Sequence, residues 1–496
     1  MTVQQLWFNN SCVITSVVDK LSPRRQAVIL TSCCLSLLIV SMDATIVNVA
    51  IPSIRTDLGA TPSQMQWVVD IYTLVLASLL ILAGAAGDRF GRRRIFQIGL
   101  GIFAFGSLLC SVAPDINTLI GARLVQGLGG SMMNPVALSI ISQIFYRPVE
   151  RARALGIWGG VVGISMALGP IVGGFLIQLV GWRAVFWINL PICAAAIVLT
   201  AIFVPESKSA TMRDMDPIGQ VLAVLALFGT VFALIEGPAL GWTHPLVSGV
   251  IGMAVLSLIG FLRYETRRAD PFIDLRFFRS TPFASATVTA VCAFAGWASF
   301  LFMMSLYLQG ERGYSAMHTG LIYLPIAIGA LVFSPLSGRL VGRFGSRPSL
   351  LVAGSMITIA AIMLTFLTPT TPVWAMLSIF ATYGIGFAMI NAPVTNAAVS
   401  GMPRDRAGAA SAVTSTSRQV GVSIGVALCG SVAGSALAVN HVGFTDAARP
   451  LWFINICLGL VITALAVAST SARAKLSAER LVPLIEGRGI EVARVA

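Results

Sequence analysis

Apolar residues run along this chain in long unbroken stretches separated by short polar gaps. The stretches cover 27–51, 64–86, 95–113, 117–145, 153–180, 184–204, 216–236, 244–262, 282–309, 317–341, 348–368, 373–398, 406–436 and 449–470. Most can cross a hydrocarbon core of roughly 30 Å, which takes about 20 residues of helix. A membrane barrel would alternate apolar and polar positions in short strands, and these stretches do not alternate. The pattern therefore predicts an all-α polytopic membrane protein with fourteen transmembrane helices. The residues ahead of the first stretch are mixed and include Pro23-Arg24-Arg25. That stretch is too long for the apolar core of a signal peptide, so no cleavable signal is expected.

Charge sharpens this picture. Hydrophobic residues make up 56% of the 496 and charged residues only 11%, yet the net charge is +13. With the gaps numbered alternately inside and outside, 27 of the 33 Lys and Arg fall on one side. Four (Arg55, Arg183, Arg312, Arg449) fall on the other, and two (Arg123, Arg418) lie within stretches. Basic loops stay in the cytoplasm, so both termini are expected there. The basic residues sit in short loops of a membrane chain, which argues against a nucleic-acid partner. The eight cysteines show no paired spacing and read as small core residues. The three histidines fall at predicted outer loops, so no metal site is expected.

The chain also repeats itself at long range. GAAGDRFGRR at 84–93 aligns with GRLVGRFGSR at 338–347, an offset of 254. GLGGSMMNP at 127–135 aligns with GIGFAMINAP at 384–393, an offset of 257. Arg151-Ala152 before the fifth stretch has a counterpart in Arg406-Ala407 before the thirteenth. Three matches in one order predict two parallel six-helix bundles, at 1–204 and 281–470, a recurring transporter plan. Residues 205–280 then form an inserted two-helix segment with polar linkers, and 471–496 a cytoplasmic tail.

These residues resemble the major facilitator superfamily, in its fourteen-helix drug:proton antiporter branch. The first stretch ends in DATIVNVAIP, Asp43 to Pro52. The loop after the second reads GAAGDRFGRRR, Gly84 to Arg94, the superfamily's signature loop. The fourth carries LIGARLVQGLGG, the fifth SMALGPIVGG, and the sixth opens GWRAVFWINLP. Ser165 stands where the antiporter motif usually starts with Gly, and Ser is also small. The resemblance implies a cytoplasmic gate at Gly84, Asp88, Arg89, Gly91 and Arg92, with Asp88 as a charge latch that forms in one conformation and breaks in the other. It implies an antiporter motif at Gly169, Pro170, Gly173 and Gly174. There the missing side-chain bulk should allow close helix approach and the proline a bend.

Charges inside the membrane narrow the chemistry. Asp43, Asp70 and Arg123 lie at about one level, since each is about 9–12 Å from the outer end of its stretch at 1.5 Å per residue. An ionisable group there is costly and is usually paired or functional. The three are candidates for proton coupling. Arg418 has no obvious membrane-level acid in the C-terminal half, and Glu236 and Glu311, at stretch ends, are expected to be solvated. Tyr72, Trp158, Trp297, Phe300, Met303, Tyr307, Asn391 and Arg418 are candidates for lining a substrate cavity, because aromatic and Met side chains suit large apolar and cationic molecules. No P-loop and no nucleophile–base constellation is visible. The expectation is a non-enzymatic, proton-coupled antiporter in the cell membrane. It would export amphipathic, cationic or neutral small molecules by alternating access, acting as a monomer with no cofactor and a proton gradient as driving force. The alternatives are a dedicated exporter of one native compound and, from another class, a non-transporting membrane sensor.

Overall fold

The structure, a computed structural model, describes residues 22–145, 147–208, 216–268, 273–399, 407–434, 443–471 and most of 473–481. Every helix of spanning length follows one of the apolar stretches. They are α1 (Pro23–Leu58), α2 (Pro62–Phe90), α3 (Arg92–Ser111), α4 (Ile116–Ile144), α5 (Pro148–Leu179), α6 (Ala184–Phe203), α7 (Pro217–Leu240) and α8 (Pro245–Arg267). They continue with α9 (Thr281–Leu306), α10 (Ala316–Phe344), α11 (Ser346–Thr365), α12 (Val373–Val399), α13 (Ala407–Cys429) and α14 (Phe444–Ala468). Among the described residues there is no strand, and twelve of these helices are long and apolar enough to cross a membrane. The remaining two, α5 and α13, run along the fifth and thirteenth stretches. Arg406 and the residues beyond 481 lie outside the described residues, as do the first 21.

Short polar signals set the helix ends. Ser22 accepts from the Arg25 amide to open α1, and Gly59, at φ 62°, closes it in a left-handed turn that glycine adopts without strain. Thr61 and Gln64 cap the start of α2 reciprocally. Asp115 caps α4 through the amides of Asn117 and Thr118. The caps at Gly59, Thr61 and Asp115 lie in the few residues between α1 and α2 and between α3 and α4, so the chain reverses direction there.

The offsets read in the sequence reappear as packing. A methyl at Gly127 would stand 3.0 Å from the Tyr72 carbonyl oxygen, and one at Gly384 would stand 2.8 Å from Ile326 Cα. A methyl at Gly129 would press on the Gly99 carbonyl at 2.6 Å, and one at Gly386 on the Ala353 carbonyl at 3.0 Å. Shifts of 254 and 257 residues carry the first contact of each pair onto the second. Small residues thus hold α4 against α2 and α3, and α12 against α10 and α11, in the same way.

Helices α1–α6 and α9–α14 meet at one end of the molecule. Ser305 Oγ donates to the Asn48 carbonyl (2.6 Å) and Gln309 Nε2 to that of Val49 (2.9 Å). Gln66 Nε2 donates to the Val426 carbonyl (2.9 Å), and the Thr73 and Ser423 hydroxyls pair at 2.9 Å. A methyl at Gly320 would stand 2.7 Å from the Pro170 carbonyl oxygen, and one at Gly174 would collide with that of Ala316. All these residues lie toward the end that carries Asp57 and Asp115. Among the described residues no hydrogen bond joins the two sets of helices at the end that carries Asp88.

The inserted helices differ from one another. Helix α7 lies against both α2 and α13, whereas α8 packs on α7. Glu236, expected to be solvated, is instead half-buried and accepts from Trp67 Nε1 at 2.7 Å. The difference arises because α7 lays its Glu236 end beside the start of α2, where an indole N–H needs an acceptor.

Candidate functional site

The membrane-level charges do not form one cluster. Asp43 on α1 and Arg123 on α4 are both fully buried and form an ion pair. Three neutral side chains complete it. Asp43 Oδ1 accepts from Gln126 Nε2 (2.9 Å) and from Asn189 Nδ2 (3.1 Å). Both amides also donate to Ser107 Oγ, at 2.8 and 3.2 Å. The guanidinium donates further to the Val68 carbonyl (3.0 Å) and to Gln126 Oε1 (2.6 Å). Its Cζ lies 4.2 Å from the centroid of the Tyr72 ring. Tyr72, a cavity candidate, is therefore the aromatic floor of the ion pair, held by its hydroxyl on the Val40 carbonyl (3.3 Å).

Asp70 stands apart. It is fully buried, and neither carboxylate oxygen has a hydrogen-bond partner among the described residues. Gln66 and Thr73, four residues before it and three after, share its helix face and bind α13. Asp70 thus lies on the seam between the two sets of helices. The register of α2 separates it from Arg123, which takes the Val68 carbonyl instead.

The signature loop is bound within its own half. Asp88, in the last turn of α2, accepts from Arg92 Nε (3.0 Å) and Nη2 (2.8 Å), and Arg92 Nη1 donates to Gln143 Oε1 (3.0 Å). Gly91 turns at φ 114°, and a methyl there would meet the Glu206 carboxylate at 2.7 Å. Glu206 accepts from the Arg93 amide (3.2 Å), tying the loop to the end of α6. Gly87 and Gly84 let α2 approach Val136 and Pro135 of α4. Arg89 is exposed, over the Phe90 ring.

The glycines of α5 are contact points. A methyl at Gly169 would collide with Thr45 Oγ1, and one at Gly173 would reach Ile46 Cγ1 at 2.7 Å. Gly174 and Pro170 face Ala316 and Gly320 of α10. The motif therefore presses α5 onto α1 and α10 together, and α5 runs continuously through Pro170.

The remaining cavity candidates divide into two groups. Trp297, Phe300, Met303 and Tyr307 are buried along α9 and its continuation. Trp297 stacks on Phe387 (4.2 Å between centroids) and Phe300 on Tyr383 (4.3 Å). Tyr307 donates to the Thr368 carbonyl (2.6 Å). All four are buried in this conformation, and Trp297 and Phe300 belong to an aromatic core with Phe387 and Tyr383. Trp158, Asn391 and Arg418 are half-buried. Arg418 donates to Thr395 Oγ1 (2.7 Å) and lies over the Phe294 ring.

Sequence reading missed Gln126, Asn189 and Ser107. Two signals pointed to them. Gln126 is one helical turn from Arg123, and Phe186-Trp187-Ile188-Asn189 recurs as Trp452-Phe453-Ile454-Asn455. In the later copy Asn455 Nδ2 donates to Ser299 Oγ at 3.1 Å. Ser299 is 256 residues beyond Asp43, within the range of the other offsets. The second half thus builds the same joint between helices without a charge.

Comparisons with known proteins agree with this architecture. The Major Facilitator Superfamily profile matches residues 33–426. The chain is 36% identical over 417 residues to the multidrug resistance protein Stp of Mycobacterium tuberculosis, covering 84% of this chain and 78% of that protein. It is 36% identical over 405 residues to the tetracenomycin C resistance and export protein of Streptomyces glaucescens (80% and 74% covered). It is 35% identical over 402 residues to the methylenomycin A resistance protein of Streptomyces coelicolor (81% and 84%). Among solved structures, the D-xylose-proton symporter superposes with a TM-score of 0.62 at 16% identity, covering 89% of this chain and 96% of that one. A bacterial homologue of the lysosomal transporter Spinster, in an inward-facing and unoccupied conformation, gives 0.57 at 18% identity (93% and 98%). A multi-pass helical chain with this profile match and these relatives belongs to the Major Facilitator Superfamily.

Proposed function

We propose that this chain is a proton-coupled exporter of amphipathic small molecules, with Asp43 and Arg123 as the core of its coupling site. The observation that carries the reading is the contrast between the halves. A buried ion pair pays a desolvation penalty that its own attraction barely offsets. The Ser299–Asn455 contact supports the same joint between helices without charge, so packing does not require Asp43 or Arg123. A charge kept at membrane depth against that cost marks a functional site. Asp70 is the complement. An ionised carboxylate there would be buried unpaired at the seam that must open, a natural place for a proton or a cationic substrate to be exchanged.

With the basic loops in the cytoplasm, the hydrogen-bonded end is the outer one, and the conformation faces inward. Adding α5 and α13 to the other twelve spans gives fourteen crossings with both termini inside. The cell membrane supplies the proton gradient, and no cofactor is needed. Asp88, free of the second half in this state, fits a latch that engages it only when the inner end closes. The resistance functions named for the relatives support drugs or antibiotics as the substrate class. Two of those names each specify one compound, which favours a dedicated exporter as the second reading.

The test is counterflow of candidate drugs in proteoliposomes with an imposed pH gradient. Accumulation that follows the gradient and collapses with a protonophore is expected. Uptake indifferent to the gradient would overturn the coupling assignment, and movement of one compound from a varied panel would select the dedicated exporter.

A further inference from the structure

No residue of the inserted helix α8 belongs to the hydrogen-bonded network around Asp43 and Arg123. Its buried residues Val247, Ala254, Ser257, Phe261 and Glu265 face α7, and most of the rest of the helix is exposed. Near its C-terminal end, Gly260, Arg263, Tyr264, Arg267 and Arg268, all from this one helix and its cap, line a shallow hollow of about 390 Å³ that is open to the surroundings. Two of the three arginines are uncommitted. Arg268 is tied down by Asp216 (3.2 Å) and by the Tyr264 hydroxyl (2.7 Å). The Glu265 carboxylate lies on the buried face and accepts from the Ile273 amide (3.2 Å). Arg263 and Arg267 are exposed, and their side chains make no ion pair or hydrogen bond with any described residue. Four residues apart, they share one face of the helix and both line the open hollow.

That face continues as an apolar track. Gly249, Gly252, Leu256 and Gly260 follow at helical spacing beneath the arginines. Leu256 is 71% exposed, and a methyl at Gly249 or Gly252 would touch nothing. Leu222 of α7 stands beside Gly260 as a side wall. The positive-inside rule accounts for arginines somewhere in this loop. It does not by itself place two guanidiniums without a described partner at one open hollow, on the same helix face as the exposed Gly249, Gly252 and Leu256.

We propose that the α7–α8 edge binds one anionic phospholipid, its phosphate between Arg263 and Arg267 and an acyl chain along Gly252, Leu256 and Gly260. A guanidinium pairs with phosphate oxygens through two parallel N–H donors, and basic pockets at the cytoplasmic ends of membrane helices suit such headgroups. The site rests on membrane residence and not on the transport reading, so failure of either leaves the other standing.

Native mass spectrometry of the purified full chain titrated with phosphatidylglycerol tests the site. One tightly held phosphatidylglycerol is expected, with phosphatidylcholine and inorganic phosphate held far more weakly. Arg263→Gln with Arg267→Gln should weaken phosphatidylglycerol about thirty-fold, from the attraction of two basic groups at the membrane surface. Gly260→Leu, which puts a side chain into the hollow and keeps both charges, should weaken it as well. The pair Arg473→Gln with Arg480→Gln, exposed and not among the residues that line the hollow, should change nothing. Equal losses for the two double variants, or full binding by Gly260→Leu, would show diffuse charge attraction and overturn the site. Inorganic phosphate competing as well as the lipid would overturn the lipid assignment. Thermal unfolding of each variant in detergent, measured in parallel, keeps folding failure distinct from loss of the site.

Discussion

Replacing Asp43 by Asn tests the coupling site and its energetics together. The amide keeps the shape of the carboxylate and removes its charge. Its Oδ1 can still accept from Gln126 and Asn189, as the carboxylate does at 2.9 and 3.1 Å. Its Nδ2, however, must face the Arg123 guanidinium, a donor against a donor. Arg123 keeps the Val68 carbonyl and Gln126 Oε1 and loses its counter-charge. Removing one member of a buried ion pair costs about 3–5 kcal/mol. The two remaining acceptors place Asp43→Asn near the lower end, about 3 kcal/mol. Arg123→Gln added to it removes the orphaned charge, so the double variant should be more stable than Asp43→Asn alone. Unfolding in detergent measures the stabilities, and pH-driven uptake into inverted vesicles measures coupling. Both variants should insert and lose pH-driven uptake. Normal pH-driven uptake by Asp43→Asn would refute the coupling role. Additive losses in the double variant would refute the energetic account of the pair.

Asp70→Asn should differ in sign on stability: with no hydrogen bonds to lose at the carboxylate, the fold should hold or gain, while export of cationic substrates falls more than that of neutral ones. Equal losses for both classes would assign Asp70 to coupling or structure. Gly174→Ala drives a methyl into the Ala316 carbonyl, and overpacking of this kind costs about 1–3 kcal/mol. Because the contact joins the halves at one end, cysteines at that end should become more accessible to a polar reagent, and unchanged labelling would count against the seam. Glu236→Gln keeps an acceptor for Trp67 Nε1 and should leave coupling intact, whereas Glu236→Leu should cost about 1–3 kcal/mol for the orphaned indole donor. Equal unfolding midpoints for the two Glu236 variants would show that the bond contributes nothing.

Much of the fold was legible because membrane helices obey a one-dimensional rule. Each must bury about 20 apolar residues and satisfy its own backbone, so hydropathy alone marks where helices lie. The glycines of α5 were legible as contact points for a related reason, since missing side chains close together on a helix announce a close approach, whereas those of α4 and α12 were legible only as a repeat. Partnership was not legible. The sequence places Asp43, Asp70 and Arg123 at about one level, but level is only the axial coordinate. Rotation of α2 about its own axis sends the Val68 carbonyl to Arg123 and Asp70 to the α13 seam. Likewise Glu236 lies at a segment end, where sequence suggests water, and only the placement of α7 against α2 gives it the Trp67 indole. The sequence by itself determined the helices, their repeat and the chemistry carried at each depth. The tertiary structure alone decided which charge meets which partner, because azimuth and neighbour are set by packing among helices far apart in the chain.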